Sequence, residues 1–544
     1  MEELLQGKGA RLGPLVTRFP LEQRTMLHVL DKQARERPDD TWLVFDGAER
    51  LTFGEAQVLA HRFGNAVIEE LGGPCHVALY MRNQVEFFPV FYGALSAGGV
   101  AVPLNADARG LLLERVIVKS DARVLVARAD LLANLDALES LGQVELVLVA
   151  GPADELPEAV CGARVLPLAG WLEGRSSDPP AELPDSGDTA LIQFTSGTTG
   201  TAKGVVYPHH FLFLYSANIA DAQGHTPDDV LSSPLPAFHV AALHIIANAA
   251  LHAGCLAHLK SRFAARSYWT EIAEDEATWT ILLGPIAAIL LKTADSSPEH
   301  RLKAMFCVPF PPDGEEFERR FNVKLLWQGY GMTEIYPHPM PAVLEEGLPK
   351  DTIGHPASWF DYGVVDEHDR MLPPGEVGEL VYRPRLPDSM AREYYKDPEA
   401  TLTAFRNFMF HTGDLGYRDE EGRLHYAGRR QDRIRRRGEN VSAAELEFIA
   451  LGHPDILEAA AFGVPGELGE HEIKLDVVPG EGKELDLSQY HDWLEERLPR
   501  YMVPRFLELR PSFPKTPSER IEKYKLMKEG VERPSVREFE PTRR

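Results

Sequence analysis

Ten residues, Thr195-Ser-Gly-Thr-Thr-Gly-Thr-Ala-Lys-Gly204, hold four threonines, one serine, three glycines and one lysine. A glycine-rich turn can aim its backbone N–H groups inward as an anion nest. Five hydroxyls add donors, and Lys203 adds a compact positive charge suited to phosphate. The chemistry this spacing asks for is polyphosphate binding; a hydroxyl-rich surface loop is the bland alternative. The pattern is not that of a G-x-x-x-x-G-K-[ST] loop, because Gly204 and not a serine or threonine follows the lysine. A second cluster, Gly329-Tyr-Gly-Met-Thr-Glu334, offers a flat ring for a purine at Tyr330 and a phosphate donor at Thr333. It also offers a hard oxygen ligand for Mg²⁺ at Glu334. A third, His411-Thr-Gly-Asp-Leu-Gly416, reads as a tight turn presenting Asp414, whose carboxylate can accept from both hydroxyls of a ribose.

These residues need elements to position them. Thr189–Phe194 and Val205–Tyr207 read as strands on either side of the first loop. A strand over Val323–Trp327 runs into the second, and loops at the carboxyl ends of strands are where open α/β sheets place ligands. Apolar runs at Val77–Tyr80, Val100–Pro103, Val124–Val126, Ile281–Leu283 and Met305–Val308 alternate with helical patterns, which predicts an α/β fold of mixed sheets with helices. From about Val364 shorter strands predict a β-rich subdomain. Past Gly428–Asp432 comes a basic run, Ile434–Asn440, then a helix opened by Ser442 and Glu445 as a capping box. The expected division is a large unit over residues 1–430 and a small hinged α+β unit over 431–544, with a lightly anchored tail after about Gly530.

The chain has 544 residues, more than one core usually serves. Its 57 basic and 82 acidic residues give a net charge of −25, which argues against a nucleic-acid partner. Four scattered cysteines, Cys75, Cys161, Cys255 and Cys307, suggest neither a zinc site nor a disulfide framework. Val240–Leu259 carries no Asp, Glu, Lys or Arg, but its histidines and Asn248 would be costly in lipid. A buried helix followed by a strand is the expected form, with no membrane insertion. The opening Met-Glu-Glu-Leu-Leu lacks a signal-peptide pattern, so a cytoplasmic location is expected. A homodimer is the default assembly.

The first loop resembles the phosphate-binding loop T-S-G-T-T-G-x-P-K-G of the adenylate-forming superfamily, which includes acyl-CoA synthetases, peptide-synthetase adenylation domains and luciferases. Ala202 stands where that pattern has proline. Tyr330–Glu334 resembles the family's Y-G-x-T-E motif. The resemblance spans about Leu27 to Lys528 and is nearest to the crotonobetaine/carnitine-CoA ligase-like branch. It implies ATP as substrate, held by Thr195, Ser196, Gly197, Thr198, Thr199, Gly200, Lys203, Tyr330, Gly331 and Thr333, with Asp414 and Arg429 on the ribose. It implies Mg²⁺ at Glu334 and Thr195, and a pivot at Gln431. Ser232–His239 is similar to the family's segment at the acyl pocket. The implied lining is His239, Val240, Ala241, Ala242, Leu243, Gly284, Ile286, Ala287 and Gly329, with Tyr336 and His338 added. The arginines of the basic run would face the phosphates of coenzyme A.

Two departures stand out. Relatives end in P-K-T-x-x-G-K, whose last lysine reaches the reacting carboxylate; here Pro514-Lys-Thr-Pro-Ser-Glu-Arg520 puts arginine there. Arg520 keeps the charge in a rigid planar fork, and Lys515 or Lys523 are alternatives. Relatives also have a small glycine-rich stretch where this chain reads Cys307-Val-Pro-Phe-Pro-Pro-Asp313. The resemblance implies a two-step enzyme: a small-molecule carboxylate and Mg·ATP give an acyl-adenylate, and the acyl group passes to coenzyme A. An amine, a carrier-protein thiol or nitrite as acceptor, and a non-catalytic nucleotide- or acyl-binding protein, stay open at this point.

Overall fold

The computed structural model describes the chain except residues 1–10, 153–154, 181, 196–201, 309, 312, 345–346, 430–432, 437–438, 466–470, 499–501, 517–519 and 540–544. Two large sheets form its body. One has seven strands, parallel through Leu325–Leu326, Ala304–Val308, Trp279–Leu283, Val230–Ser233, Leu256–Leu259 and Thr41–Phe45, with Glu49–Thr52 antiparallel at the edge. The other has eight, with Val100–Pro103, His76–Tyr80, Ala122–Arg128 and Leu146–Ala150 parallel in its centre. One hydrophobic cluster takes side chains from both sheets and from the helices Phe53–Leu71, Phe87–Ser96 and His209–Gln223. All ten residues of Phe87–Ser96 are buried, as a helix held between two apolar faces requires.

The expected strands around the first loop are Thr189–Thr195 and Lys203–Pro208, paired antiparallel with Lys203 opposite Thr195. The Val240–Leu259 stretch is a helix and a strand, as expected. Its first part, Ala241–Asn248, is wound as a π-helix before the α-turn Ala249–Ala253 and the strand Leu256–Leu259. Among the described residues no helix is long and apolar enough to cross a membrane.

The β-rich part is a five-stranded antiparallel sheet built from Thr352–Gly354, Phe360–Val365, Gly378–Pro384, Phe410–Arg418 and Leu424–Arg429. It corrects one expectation. His411–Gly416 is not a tight turn but the middle of the nine-residue strand Phe410–Arg418, locally bent at Gly413 with φ +73°. A glycine there absorbs the left-handed bend that re-aims Asp414. The basic run becomes a hairpin, Arg433–Arg436 with Glu439–Ser442. Beyond it Ile456–Pro465, His471–Pro479, Phe506–Leu509 and Val536–Glu538 make a four-stranded sheet. The tail is therefore not lightly anchored: Val536–Glu538 pairs with Phe506–Leu509, and the Phe539 ring stacks on His491 at 4.2 Å.

Candidate active site

Thr195 and Lys203 close the two strands that lead into and out of the glycine-rich loop. Both are partly buried. Ser196, Gly197, Thr198, Thr199 and Gly200 lie outside the described residues, as does Gln431. The Lys203 ammonium sits over the Tyr394 ring, 4.7 Å from its centroid. The Tyr394 hydroxyl in turn donates to Glu334 Oε1 at 2.7 Å. Sequence reasoning missed Tyr394; it lies 60 residues past Glu334 in a polar stretch with no motif to mark it.

Tyr330–Met332 and Ile335–His338 form a hairpin whose turn is Thr333-Glu334. Glu334 is 6% exposed. Its carbonyl accepts from the Ala391 N–H at 2.9 Å, and the Thr333 carbonyl accepts from the buried Tyr207 hydroxyl. Gly331 is required by packing: a Cβ there would stand 2.5 Å from Tyr336 Cδ2. Gly329, at φ +151°, lies against Met340, whose Cγ a Cβ would meet at 2.6 Å. The Tyr330 hydroxyl donates to Asp414 Oδ2 at 2.6 Å, bringing the purine and ribose candidates together across 84 residues. Burial and the Asp414 charge push the Tyr330 phenol well above its ordinary range, so it stays a donor. Arg429 is paired in register opposite Asp414, with its side chain outside the described set.

His239 and Val240 are partly buried; Ala241 and Gly284 are buried. Gln193, on the strand before the glycine-rich loop, braces this region. Its amide donates to the Phe238 carbonyl at 2.9 Å, and its Oε1 faces His244 Nε2 at 3.4 Å. Burial pushes His239 down to about 4, and the nearby Arg520 guanidinium adds to the shift. His244 falls to about 3, again by burial first and then the His239 charge. Both imidazoles are neutral at pH 7. Arg520, from the far end of the chain, is thus within electrostatic reach of His239. Lys515 instead pairs with Glu458 at 2.8 Å and Lys523 with Glu447 at 2.7 Å.

Not every candidate sits with these residues. Tyr336 is 4% exposed and stacks on Tyr215 at 4.5 Å, its hydroxyl accepting from the Met340 N–H. His338 is 1% exposed, with Nε2 2.9 Å from the Tyr382 hydroxyl and its ring 6.0 Å from Tyr330. It sits with the Tyr330 cluster and not with His239. Of the arginines expected to face coenzyme A, Arg436 is committed elsewhere: it is 3% exposed, 2.7 Å from Glu472, and donates to the Val503 carbonyl at 2.5 Å. In the Cys307–Asp313 stretch, Phe310 packs edge-on to Trp327 at 6.0 Å under the Lys350 ammonium, 4.2 Å from the Phe310 ring. The chemistry of the donor set fits a small divalent cation: Glu334 supplies a buried carboxylate and Thr195 a hydroxyl, both hard oxygen donors.

The family model "AMP-binding enzyme" matches residues 30–395, and "AMP-binding enzyme C-terminal domain" matches residues 445–520. The crotonobetaine/carnitine–CoA ligase of Citrobacter koseri is 31% identical over 532 residues, covering 90% of this chain and 98% of that protein. That of Salmonella arizonae is 32% identical, covering 83% and 88%. Among solved structures, the anthranilate CoA ligase AuaEII in complex with anthranoyl-AMP superposes with a TM-score of 0.83 at 22% identity, covering 94% of this chain and 98% of that one. A benzoate CoA ligase from Burkholderia xenovorans gives 0.78 at 23%, covering 92% and 99%. On this evidence the chain belongs to the AMP-binding enzyme family, the adenylate-forming superfamily, on the branch of the crotonobetaine/carnitine–CoA ligases.

Proposed function

We propose that this chain is an ATP-dependent, AMP-forming acyl-CoA ligase. It activates a small carboxylic acid as its acyl-adenylate, releasing pyrophosphate, and transfers the acyl group to the thiol of coenzyme A. The observation that carries the reading is the position of Arg520. This residue of the C-terminal part is within electrostatic reach of His239, in the same molecule in which Lys203 and Glu334 meet at Tyr394.

In the first step a carboxylate oxygen attacks the α-phosphorus, and the bond from that phosphorus to the β-phosphate oxygen breaks. Catalysis here is placement and charge stabilisation. Lys203, with Thr195, Ser196 and Thr198, holds the departing pyrophosphate. Asp414 and Arg429 hold the ribose, Tyr330 lies against the purine, and Arg520 covers the α-phosphate where the carboxylate enters. Glu334 and Thr195 would hold Mg²⁺, which when bound supplies neutralisation of the phosphate charge. Neutral His239 lines the acid's entry without adding charge. In the second step the thiol sulfur attacks the acyl carbon and AMP leaves. For that step the small unit, 431–544, turns about Gln431 and withdraws Arg520, which opens the thiol route. We place the enzyme in the cytoplasm, with a homodimer as its default assembly.

The relatives named above act on crotonobetaine or carnitine, anthranilate and benzoate by their names. The test set follows: trimethylammonium, small aromatic and short aliphatic acids, each with Mg·ATP, with and without coenzyme A, read for AMP and new thioester by mass spectrometry. Thioester that requires coenzyme A is the expected result. AMP without thioester would move the acceptor to another nucleophile, and no AMP from any acid would leave a nucleotide-binding protein.

A further inference from the structure

Residues 391–397 run as a strap along the free edge of the strand Lys203–Pro208. The Arg392 N–H donates to the Val206 carbonyl and the Val206 N–H to the Glu393 carbonyl, each at 3.0 Å. Tyr395 N–H donates to the Gly204 carbonyl at 2.7 Å, and Tyr394 bridges Val205. Alternation along this extended segment sends neighbouring side chains to opposite faces. Tyr395 goes outward, its hydroxyl on Asp121 at 2.7 Å, joined there by Lys396. Tyr394 goes inward and meets both Lys203 and Glu334. Further pins fix its place: its N–H donates to Thr401 Oγ1 at 3.0 Å, and Ala391 holds the Glu334 carbonyl.

We propose that Tyr394 is a positioning residue for the first half-reaction, its hydroxyl orienting the Glu334 carboxylate for a divalent cation and its ring holding the Lys203 ammonium ready for phosphate. This rests on the reading of Glu334 and Lys203 given above. A carboxylate 6% exposed needs a hydrogen-bond partner to stay ionised and in one rotamer. A phenol on Oε1 supplies that, the arrangement by which outer residues tune metal ligands. The ring face adds a cation–π attraction for Lys203, which keeps a flexible four-carbon chain near the loop before nucleotide arrives.

The test compares Tyr394→Phe, Tyr394→Leu, Glu334→Gln and the double variant Tyr394→Phe/Glu334→Gln in the full chain. Two readouts are used: ATP binding by calorimetry with Mg²⁺ or with EDTA, and ATP–pyrophosphate exchange against free Mg²⁺. Tyr394→Phe keeps the ring and its packing, so it should melt within about 2 °C of the parent. It should raise the half-saturating Mg²⁺ about 10-fold, the scale for losing an outer-shell partner, and leave metal-free ATP binding within about 2-fold. Tyr394→Leu should also weaken metal-free ATP by about 3-fold, through Lys203. In the Glu334→Gln background, Tyr394→Phe should add less than about 2-fold, because the two act as one unit. A Mg²⁺ dependence shifted by Glu334→Gln but not by Tyr394→Phe overturns the proposal alone. An unshifted Glu334→Gln overturns the reading beneath it as well. A Tyr394→Phe effect that persists undiminished in the double variant marks a merely structural tyrosine and also overturns it.

Discussion

The Tyr330–Asp414 contact allows a sharp test of how the ribose is held. The Tyr330 hydroxyl donates to Asp414 Oδ2 at 2.6 Å. Asp414 is 4% exposed, which makes a hydrogen bond from a ribose hydroxyl a charge-assisted one in a dry setting. Asp414→Asn keeps the shape and can keep an acceptor for Tyr330, but it replaces a charged acceptor by a neutral amide. Bonds to charged groups are worth about 1.5–3 kcal/mol against about 1 for neutral ones, so the loss should be about 0.5–2 kcal/mol. At 1.36 kcal/mol per decade that is about 2- to 30-fold in the KM for ATP. The assay is pyrophosphate release with ATP and with 2′,3′-dideoxy-ATP, on parent and variant. If Asp414 acts through the ribose hydroxyls, the variant should cost nothing further on the dideoxy nucleotide. Equal losses on both nucleotides would refute the assignment and make Asp414 a brace for Tyr330.

Arg520→Ala should lower pyrophosphate release by about 10²-fold or more, the scale of losing one strong electrostatic contact, and spare thioester formation from a supplied acyl-adenylate; equal loss in both assays contradicts its role. Lys515→Ala and Lys523→Ala should act on stability and not on adenylation, since each lysine is paired with a carboxylate, Glu458 or Glu447. Gly331→Ala should cost about 1–3 kcal/mol by driving the Tyr336 ring off Tyr215, read as a lower melting temperature and a raised KM for ATP; parent-like values would show that the ring yields freely. Acid should destabilise the fold through six buried histidines. His209, His210 and His225 are pushed down by burial to about 4, and His244, His252 and His338 to about 3. Their folded values lie below the ordinary 6.5, so the unfolded chain takes up protons first as pH falls. Stability is full above 6.5 and is lost toward 4, by up to about 1.4 kcal/mol per pH unit for each group. An apparent melting temperature unchanged between pH 7 and pH 5 would count against neutral burial.

Much of the scaffold is legible in the sequence because its strands are short, mostly apolar runs bounded by turn residues. The pair around the glycine-rich loop and the parallel strands Val100–Pro103 and Trp279–Leu283 are of this kind. The winding of Ala241–Asn248 is not legible, since a π-turn and an α-turn cannot be told apart where every position is buried. The His411–Gly416 strand reads as a turn because its two glycines and an aspartate are turn residues locally. Only sheet pairing with Gly378–Pro384 overrides them. Arg436 reads as part of a solvated basic run, yet Glu472, distant in sequence, draws it inside. Tyr394 shows the limit most directly. Its neighbours Glu393, Lys396 and Asp397 read as surface loop, and its importance comes from sheet-edge contacts with residues some 190 and 60 positions earlier.

The charge balance of the molecule gives this local arrangement its sense. A net charge of −25 is unfavourable for a nucleotide that carries several negative charges. At physiological ionic strength, however, exposed charges are screened beyond about 8 Å, so the distant acidic surface matters little once the nucleotide is at the cleft. What counts there is the sign of the few groups at hand. Lys203 lies over the Tyr394 ring, whose hydroxyl donates to Glu334, so one tyrosine contacts both groups. His239 and His244 are kept neutral by burial, so on the proposed assignment neither would compete with Arg520 for the carboxylate. A lysine at position 520 would be a compact charge able to follow the carboxylate through the reaction, whereas arginine offers a fixed fork. A fork suits an acid whose carboxylate is already well oriented. On the proposed assignment, the bonds from Gln193 to the Phe238 carbonyl and to His244 would keep the wall next to His239 in place for such an acid.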